Sequence, residues 1–281
     1  MNDLASIRRR FADNLRAKVN IQAGALVDAL ATVPRERFLG PGPWRIGFFA
    51  GRKPEYRMSA SADPSEVYCD NVIAIDAARG LNNGEPSSLV RWIDALRLAR
   101  GQSVVHIGSG TGYYTALLAY LVGESGRVIA YEADEALARR ARDNLADQPW
   151  VSVVSGSAHA LPERGIDAVF VNCGVTHPAT EWVACLAEGG KLLLPVTAAR
   201  PGEPFGTGAM YLVSRTNERL SIAYVSGVGI FNCTEQRDDA LNQSLRFKSR
   251  EDWRSPCTLR LDEHRPSDAC WLHGPGCCMS G

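Results

Sequence analysis

The most informative stretch of the chain reads Val104-Val105-His106-Ile107-Gly108-Ser109-Gly110-Thr111-Gly112-Tyr113. It is typical of a buried strand that ends in a turn with three glycines at alternate positions, followed by a helix. Glycine allows positive φ angles and lets a ligand approach the main chain closely. The start of the following helix offers unpaired N–H groups. The stretch therefore predicts a ligand-binding turn at the carboxyl end of a strand.

Around this turn, short apolar runs alternate with helical segments, which is typical of a parallel sheet covered on both faces. An antiparallel hairpin is expected to follow. We predict strands at 103–107, 127–131, 151–155, 166–172 and 191–196, helices at 113–122, 135–145 and 180–187, and a hairpin at 210–214 and 220–228. The pattern predicts an α/β fold with a doubly wound sheet.

The composition changes twice along the chain, and we expect three consecutive segments. Residues 1–70 form a helical and irregular segment, with a strand at 46–50. Residues 71–235 form the ligand-binding α/β domain, which begins with a helix at 86–98. Residues 236–281 form a polar, cysteine-containing extension whose weak periodicity indicates only partial order.

The overall charge excludes some classes of function. Lysine plus arginine and aspartate plus glutamate both total 31, and this balance argues against a dedicated nucleic-acid binder, which needs a basic surplus. No apolar run reaches the roughly 20 residues of a membrane span, and the first ten residues do not read as a secretory signal. We therefore expect no membrane partner, a cytoplasmic location and mostly free thiols.

A carboxylate follows the glycines at a spacing that is typical of a ribose-binding acid. Glu132 ends the strand that begins at Arg127, about twenty residues beyond the turn, where an acid accepts hydrogen bonds from both ribose hydroxyls. The glycine spacing is Gly-x-Gly-x-Gly and not the Gly-x-Gly-x-x-Gly that seats a pyrophosphate. The ligand is therefore expected to be a nucleoside with an amino-acid part. The alternative is that Glu132 only caps the helix that starts near Asp134.

Two later strands end in polar residues that belong to the same series. Ser157 follows one strand and is expected to lie beside an adenine amino group, with Ala158 next to it. Asn172 ends the next strand. Carboxyl ends of parallel strands form the ligand-facing edge of such sheets, so these residues are candidates for the same site.

These segments resemble the protein-L-isoaspartate (D-aspartate) O-methyltransferase family, a branch of the class I methyltransferases. The resemblance covers roughly residues 20–230. It is carried by Val33-Pro34-Arg35-Glu36-Arg37-Phe38, by Tyr68-Cys69-Asp70, by His106 to Ala116 around the glycines, and by Leu186-Ala187-Glu188-Gly189-Gly190-Lys191-Leu192-Leu193-Leu194-Pro195-Val196.

The resemblance implies a Rossmann-like, seven-stranded, mostly parallel sheet and methyl transfer from S-adenosylmethionine to a carboxylate. The acceptor would be a protein or a peptide, with a small metabolite as the alternative; a cofactor-binding sensor without catalysis is the other rival, and the oligomeric state stays open. The cofactor-binding candidates are His106, Gly108, Ser109, Gly110, Gly112, Tyr113, Glu132, Ala133, Ser157, Ala158 and Asn172.

The substrate loop departs from the family pattern. The family reads Thr-Ile-Ser-x-Pro, whereas this chain reads Asn82-Asn83-Gly84-Glu85-Pro86, so Gly84 replaces the hydroxyl that meets the acceptor. The candidate catalytic residues are Asn82, Asn83, Gly84 and Ser87. The asparagines either donate amide hydrogen bonds to a carboxylate or shape a turn. Ser87 and Ser88 either replace the missing hydroxyl or cap the next helix.

Two further departures concern the cofactor. His106 and Ser157 stand where the family has acids. A neutral imidazole at position 106 could accept a hydrogen bond, whereas an imidazolium would repel a sulfonium, so cofactor affinity is expected to fall below about pH 6.5. The alternative is a histidine packed beneath the turn with fixed hydrogen bonds.

The extension contains His264, Cys270, His273, Cys277 and Cys278. Structural zinc sites show tightly paired ligands, and the adjacent pair Cys277-Cys278 is a poor match to that pattern. We therefore expect no metal site, and surface or redox-active thiols instead.

Overall fold

The computed structural model describes residues 3–49, 54–158, 161 and 164–281. The chain divides into two units that interleave along the sequence. Unit 1 comprises Met1–Gly101, Ser109–Val128 and Asp134–Val153, and unit 2 comprises Gln102–Gly108, Ile129–Ala133 and Val154–Gly281. The sequence predicted three consecutive segments, and that division stays a prediction. No helix among the described residues has the length and apolar character needed to cross a membrane.

Unit 1 contains five helices and a small antiparallel sheet among its described residues. The helices are α1 (Leu4–Val19), α2 (Gly24–Thr32), α3 (Pro86–Leu96), α4 (Tyr113–Val122) and α5 (Glu135–Asn144). The strands are β1 (Arg45–Phe49), β2 (Pro54–Met58), β3 (Val72–Asp76) and β4 (Leu81–Asn82), in the order β2-β1-β3-β4. The strand predicted at 46–50 corresponds to β1, and its last residue, Ala50, lies outside the described residues.

Local signals explain where these helices start and stop. Pro86 occupies the first turn of α3, where its missing N–H costs nothing. The Asp134 carboxylate caps α5 by accepting a hydrogen bond from Leu137 N at 3.0 Å. Helix α1 ends at Asn20, which has φ +55°, and the side-chain amides of asparagine make this left-handed conformation accessible.

A buried arginine ties together the two N-terminal stretches that resemble the family. Arg35 has no exposed surface. Its guanidinium donates to the carbonyl oxygens of Val67 at 2.6 Å, Cys69 at 2.7 Å and Asn71 at 3.0 Å. The Tyr68 hydroxyl donates to the carboxylate of Glu36, and burial together with this bond raises the pKa of Tyr68. Polar residues of the first stretch thus fasten it to residues 67–71 of unit 1.

Unit 2 is built on a large sheet. Its strands are β5 (Ser103–Ile107), the ends of β6 (Arg127–Glu132) and β7 (Val151–Ser155), then β8 (Ile166–Val171), β9 (Leu186–Ala198), β10 (Phe205–Thr216), β11 (Arg219–Phe231), β12 (Thr258–Arg260), β13 (Cys270–Gly274) and β14 (Cys277–Ser280). They lie in the order β13-β14-β12-β11-β10-β9-β8-β5-β6-β7. Strand β8 pairs in parallel with β5 and β9, whereas β10 pairs antiparallel with β9 and β11.

This order confirms the predicted α/β fold class and its Rossmann-like core. The seven predicted strands are β5 to β11, and β12 to β14 extend the described sheet to ten. Apolar side chains from β5, β8 and β9 fill the core, with Val169, Phe170 and Leu192 fully buried. Such burial explains why these strands read as continuous apolar runs.

One helix is shorter than predicted. The segment 180–187 was expected to be helical throughout, but α6 spans Thr180–Ala184 and strand β9 begins at Leu186. Leu186 pairs in parallel with Ile166. Sheet pairing at this point outweighs local helical propensity, which is a weak determinant compared with tertiary contacts.

The extension is ordered, so the expectation of partial order was wrong. It contains α7 (Asp239–Leu245) and the strands β12 to β14. Its polar side chains act inside the unit: Arg237 donates to the carbonyl oxygen of Gly174 and to Thr197 Oγ1, both at 3.0 Å, and to Asn242 Oδ1 at 2.6 Å. Partly buried hydrogen bonds hold this segment, which lacks the apolar periodicity that a sequence pattern would show.

Candidate active site

In unit 2, three strands end at one edge of the sheet. Gly108 follows β5, Glu132 is the last residue of β6, and Asn172 follows β8. The backbone links these ends, because Gly108 N donates to Tyr131 O at 2.9 Å and Asn172 N donates to Ile107 O at 2.8 Å. Carboxyl ends of parallel strands are where open α/β sheets bind ligands.

Gly108 occupies a position that only glycine fits. Its φ is +77°, and a Cβ atom there would lie 3.1 Å from the carbonyl oxygen of Asn172. The Asn172 Nδ2 atom donates in return to the carbonyl oxygen of Gly108 at 3.3 Å. The side chain of Asn172 thus stabilises the first part of the glycine turn.

Glu132 is the last residue of its strand and is 9% exposed, and the next residue, Ala133, is exposed. The carbonyl oxygen of Glu132 accepts a hydrogen bond from Gly156 N at 2.9 Å. The alternative role, a helix cap, is wrong, because Asp134 provides the side-chain cap of α5.

The residues predicted beside adenine follow β7 in unit 2. Ser157 is half-buried, and Ala158 is buried. The carbonyl oxygen of Ala158 accepts a hydrogen bond from Trp182 Nε1 at 2.9 Å, which fixes the backbone after the strand. The role of Ser157 in adenine recognition stays a prediction.

His106 is inside the core and does not line the strand edge. Its side chain has no exposed surface, and its ring stacks on Phe170 with centroids 5.0 Å apart. Burial lowers the pKa of His106 to about 3. The hypothesis of a cofactor contact that titrates near pH 6.5 is therefore wrong, and the alternative of a histidine packed beneath the turn agrees with the structure.

The burial of His106 predicts how pH acts on stability and on binding. Between pH 6.5 and 3 the unfolded histidine binds a proton while the folded one stays neutral, so stability falls as pH drops. The free energy of unfolding should decrease by about 1 kcal/mol from pH 7.5 to 5.5 through this group, as urea titrations would measure. The variant His106→Phe, which keeps a stacked ring, should lose that part of the pH dependence.

Cofactor affinity should not follow the same pH profile. In calorimetric titrations of the wild-type chain with S-adenosylmethionine, His106 should contribute no difference between the dissociation constants at pH 5.5 and 7.5. A weakening at pH 5.5 that disappears in His106→Phe would contradict the buried, neutral imidazole.

The remainder of the glycine turn belongs to unit 1. The hydroxyl of Ser109 is buried and has no hydrogen-bond partner among the described residues. A Cβ atom on Gly110 would have Ile75 Cδ1 at 4.0 Å as its nearest neighbour, which leaves open space beside this residue. Gly112 is crowded, because a Cβ atom there would lie 2.9 Å from Leu145 Cδ1. Asn144 Nδ2 donates to the carbonyl oxygen of Thr111 at 2.9 Å.

Tyr113 is the first residue of α4, and its side chain is buried in unit 1. Its ring packs against Phe38, with centroids 5.6 Å apart, and burial raises the pKa of its hydroxyl to about 12. The side chain thus contributes packing beneath the turn, and any ligand contact of Tyr113 would have to come from its backbone.

The substrate loop of unit 1 is a compact turn. Asn82 Oδ1 accepts a hydrogen bond from Gly84 N at 2.9 Å, and Asn82 Nδ2 donates to the hydroxyl of Tyr56 at 3.3 Å. Asn83 Oδ1 accepts a hydrogen bond from Ile73 N at 2.8 Å. The Nδ2 atom of Asn83 is buried and has no hydrogen-bond partner among the described residues. Asn82 therefore shapes the turn, whereas Asn83 keeps an unused donor.

The two serines after the loop do not cap α3. The capping position is Glu85, which makes no side-chain cap, and Ser88 Oγ donates to the carboxylate of Glu85 at 2.8 Å. Ser87 is buried, and its N–H donates to Asp70 Oδ1 at 2.7 Å. Asp70 also forms an ion pair with Lys18 at 2.5 Å. Asp70 thereby fixes the start of the helix, a role that the sequence did not indicate.

The structure also shows why Gly84 cannot simply be exchanged for the family's serine. Its φ is +76°, and a Cβ atom would lie 2.8 Å from Leu89 Cδ2. The variant Gly84→Ser should lower the free energy of unfolding by about 2 kcal/mol through backbone strain and this clash. It should not raise methyl transfer to isoaspartyl peptide.

Gly80 provides a matched control for that variant. It has φ +71° and no atom within 4 Å of an added Cβ, so Gly80→Ser should suffer the backbone strain alone, about 1 kcal/mol. Urea unfolding of both variants measures the difference. Equal losses in the two variants, or a gain of activity in Gly84→Ser, would contradict the packing of Leu89 against Gly84.

A pair of thiols beside the strand edge escaped the sequence analysis. Cys173 follows Asn172, and a hydrogen bond between Cys173 and Cys233 lowers the pKa of the Cys233 thiol to about 6. The same bond, with burial, raises the pKa of Cys173. Their distant positions in the sequence offer no spacing signal that could have paired them.

Comparisons with known proteins agree with this architecture. The sequence model of the family described as protein-L-isoaspartate(D-aspartate) O-methyltransferase (PCMT) matches residues 55–228. A protein-L-isoaspartate O-methyltransferase of Methylorubrum populi is 30% identical over 223 residues, which are 78% of this chain and 90% of that protein. The Thermotoga maritima enzyme of the same name is 25% identical over 232 residues, 79% of this chain and 67% of that protein.

Solved structures share the fold. A protein-L-isoaspartate O-methyltransferase homologue from Plasmodium falciparum in complex with S-adenosyl-L-homocysteine superposes with a TM-score of 0.61 at 16% identity, and covers 82% of this chain and 98% of that one. The strand order and the glycine turn define a class I methyltransferase, an enzyme that uses S-adenosylmethionine. Within that class, the chain belongs to the protein-L-isoaspartate (D-aspartate) O-methyltransferase family, which acts on protein substrates.

Proposed function

We propose that the chain methylates a side-chain or terminal carboxylate of a protein or peptide, with S-adenosylmethionine held at the strand edge of unit 2. The observation that carries this proposal is the position of Glu132, a mostly buried carboxylate at the end of β6. A small-molecule acceptor is the alternative outcome of the test below. The cytoplasmic location expected from the sequence stays a prediction.

The residues present fit this cofactor. Gly108 has positive φ and no room for a side chain, as a main-chain ligand contact requires. Within unit 1, Gly110 has open space beside it, and the buried Ser109 hydroxyl has no hydrogen-bond partner among the described residues; the part of these two residues in cofactor binding stays a prediction. In this assignment, which is confined to unit 2, Glu132 accepts hydrogen bonds from the ribose hydroxyls, the main chain of Gly108 faces the amino-acid part, and Ser157 and Ala158 contact the adenine.

When bound, S-adenosylmethionine supplies an electrophilic methyl group on a sulfonium. The protein orients the acceptor and keeps water out, and orientation of this kind accounts for up to ~7–11 kcal/mol of a barrier in the best cases. A carboxylate acceptor is ionised at neutral pH because its pKa is about 4. The enzyme therefore needs no general base, and none of Asn82, Asn83, Gly84 and Ser87 has to remove a proton.

Asn83 is the residue of the loop that we assign to the acceptor. Its Oδ1 atom is occupied by Ile73 N, while its buried Nδ2 atom lacks a partner among the described residues. An amide donor to a carboxylate forms a charge-assisted hydrogen bond. Asn83 would thus replace the hydroxyl that the family places two residues before the proline.

The function is tested with methyl-labelled S-adenosylmethionine and two peptides that differ only in carrying isoaspartate or aspartate. Base-labile label on the isoaspartyl peptide supports the proposal. Base-labile label only on a peptide fraction of a cell extract still supports a peptide carboxylate acceptor of a different kind, whereas base-stable label there would overturn the proposal. Label confined to small molecules, or binding without any transfer, would overturn the proposal.

The role of Asn83 is tested with the variant Asn83→Asp. This variant keeps the Oδ1 acceptor for Ile73 but places a negative charge where the amide donor was. It should raise the KM for the peptide about tenfold or more, with little change in cofactor affinity. Asn217→Asp, in an exposed turn of unit 2, is the control and should leave the KM unchanged. An unaltered KM in Asn83→Asp would remove Asn83 from the acceptor site.

A further inference from the structure

Four side chains of the C-terminal extension form a compact cluster in unit 2: His264, Cys270, His273 and Cys278. Each offers one potential ligand atom, and these four atoms all lie within 4.8 Å of one another. Two thiols and two imidazoles are a donor set of tetrahedral structural zinc sites. We propose that this cluster, the Cys2His2 cluster, binds one Zn²⁺ ion.

The distances within the Cys2His2 cluster suit a shared metal ion. Bonds of about 2.3 Å to sulfur and about 2.0 Å to nitrogen, at a tetrahedral angle, separate the two ligand atoms by roughly 3.5 Å. The Sγ atom of Cys270 lies 3.6 Å from Nε2 of His264. His273 faces Cys278 across the β13–β14 ladder, and the rings of His264 and His273 have centroids 4.8 Å apart. Two strands and one loop therefore converge on one point.

Two of these side chains are held by hydrogen bonds to neighbouring backbone groups, as ligands are in metal sites. His264 Nδ1 donates to the carbonyl oxygen of Asp262 at 3.0 Å, which leaves the lone pair on Nε2, the atom that faces Cys270. A bond from the other ring nitrogen to a carbonyl is the usual arrangement for a metal-binding histidine. The backbone N–H of Ser267 donates to Cys270 Sγ at 3.4 Å. His273 Nδ1 is buried and has no hydrogen-bond partner among the described residues.

The adjacent pair Cys277-Cys278 is a poor match to a zinc motif, but only Cys278 belongs to the cluster. Cys277 packs in the hydrophobic core of unit 2 and is outside the cluster. The informative spacing is Cys270-x-x-His273, a close ligand pair, which is completed by Cys278 on the paired strand and by His264 on the preceding loop. Residues on adjacent strands can be brought together without a sequence motif, which is why the fold was needed to see the set.

The proposed ion would have a structural role. Four protein ligands fill a tetrahedral site and leave no open position for a water or a substrate. The ion would join the 262–268 loop to the hairpin of β13 and β14, at the end of the sheet. Metal binding would thus contribute to the folding of this segment.

The test uses the full-length, untagged chain purified under reducing conditions without chelators. Elemental analysis should find about one zinc per chain in the wild type. Cys270→Ser and His273→Asn should each retain less than about a fifth of that amount. The control Cys257→Ser removes an exposed thiol of the same extension that lies outside the cluster, and should keep its zinc.

A second measurement does not depend on the variants. Wild-type protein stripped of metal should bind Co²⁺ with the visible bands of a tetrahedral ion and the near-ultraviolet charge-transfer band of thiolate ligands, and Zn²⁺ should displace it. Stripping should lower the melting temperature, and zinc should restore it. A wild type that takes up neither ion, a cobalt spectrum without thiolate bands, or zinc that persists in both cluster variants would overturn the proposal. So would a Cys270–Cys278 disulfide that persists under reducing conditions.

Discussion

Replacement of Glu132 by glutamine is expected to weaken the binding of S-adenosylmethionine about 10- to 100-fold. The side chain keeps its length, but the acceptor loses its charge, and hydrogen bonds to charged groups contribute roughly 1.5–3 kcal/mol each. Glu132 is 9% exposed, so solvent offers little compensation for the lost interaction. Titration calorimetry with S-adenosylmethionine or S-adenosylhomocysteine measures the effect directly.

Two controls separate the ribose contact from a general disturbance. Glu135→Gln removes an exposed carboxylate at the start of α5, whose ion pair with Arg139 lies on the surface, and it should change affinity by less than about twofold. A cofactor analogue that lacks both ribose hydroxyls should bind the wild type and Glu132→Gln equally. If Glu132→Gln binds the complete cofactor as the wild type does, the assignment of the ribose site to Glu132 is wrong.

Replacement of Arg35 by alanine is expected to destabilise unit 1 by at least about 3 kcal/mol. The change leaves the carbonyl oxygens of Val67, Cys69 and Asn71 without the donor that now satisfies them. Each buried acceptor left unpaired costs roughly 1–3 kcal/mol. The loss of a fully buried side chain adds a cavity to that cost. Urea unfolding measures the total, and amide hydrogen exchange at residues 67–71 should report the local loosening.

The stability of a lysine variant at position 35 separates the contribution of the hydrogen bonds from that of the positive charge. Arg35→Lys keeps the charge but cannot reach three carbonyls with one ammonium group, so we expect an intermediate loss. Arg10→Ala, which removes an exposed arginine of α1, should change stability by less than about 0.5 kcal/mol. An Arg35→Ala chain as stable as the Arg10→Ala chain would show that the buried guanidinium does not hold this segment.

The elements around the glycine turn were predictable because local and global signals agree there. The strand 103–107 and the helix 113–122 were predicted with the bounds that the structure shows. Both are predominantly apolar, and glycines separate them. The strand 151–155 was also predicted with its observed bounds, although its side chains are half-buried or exposed. Agreement between local pattern and turn chemistry is what makes such segments predictable from sequence.

Other features depend on contacts between residues distant in sequence. The imidazole of His106 looked like a cofactor contact because of its place before the glycines, but strand alternation directs it into the core, where it stacks on Phe170. Arg35 was singled out only as part of a stretch that resembles the family, and its hydrogen bonds to the carbonyl oxygens of Val67, Cys69 and Asn71 appear only in the structure. No local pattern announces such long-range hydrogen bonds.

The candidate site was predictable in part. Sequence reasoning placed Glu132 and Asn172 at strand ends, and the structure confirms those positions, while their contacts with a cofactor stay predictions. It did not show that Asn172 would donate to Gly108, that Asp70 would hold the start of α3, or that the Asn83 amide would lack a hydrogen-bond partner among the described residues. These details depend on backbone geometry that a list of residue types does not contain.

The end of the sheet has a consequence for handling the protein. β12 has three residues and pairs with β11 only through Leu259 and Thr258, and β14 covers its other side. If the last strands detached, β11 and β12 would present unpaired N–H and C=O groups, which are templates for strands of other molecules. The intact extension therefore protects the sheet against pairing with strands of other molecules. Chains whose C-terminal hairpin has unfolded should precipitate first.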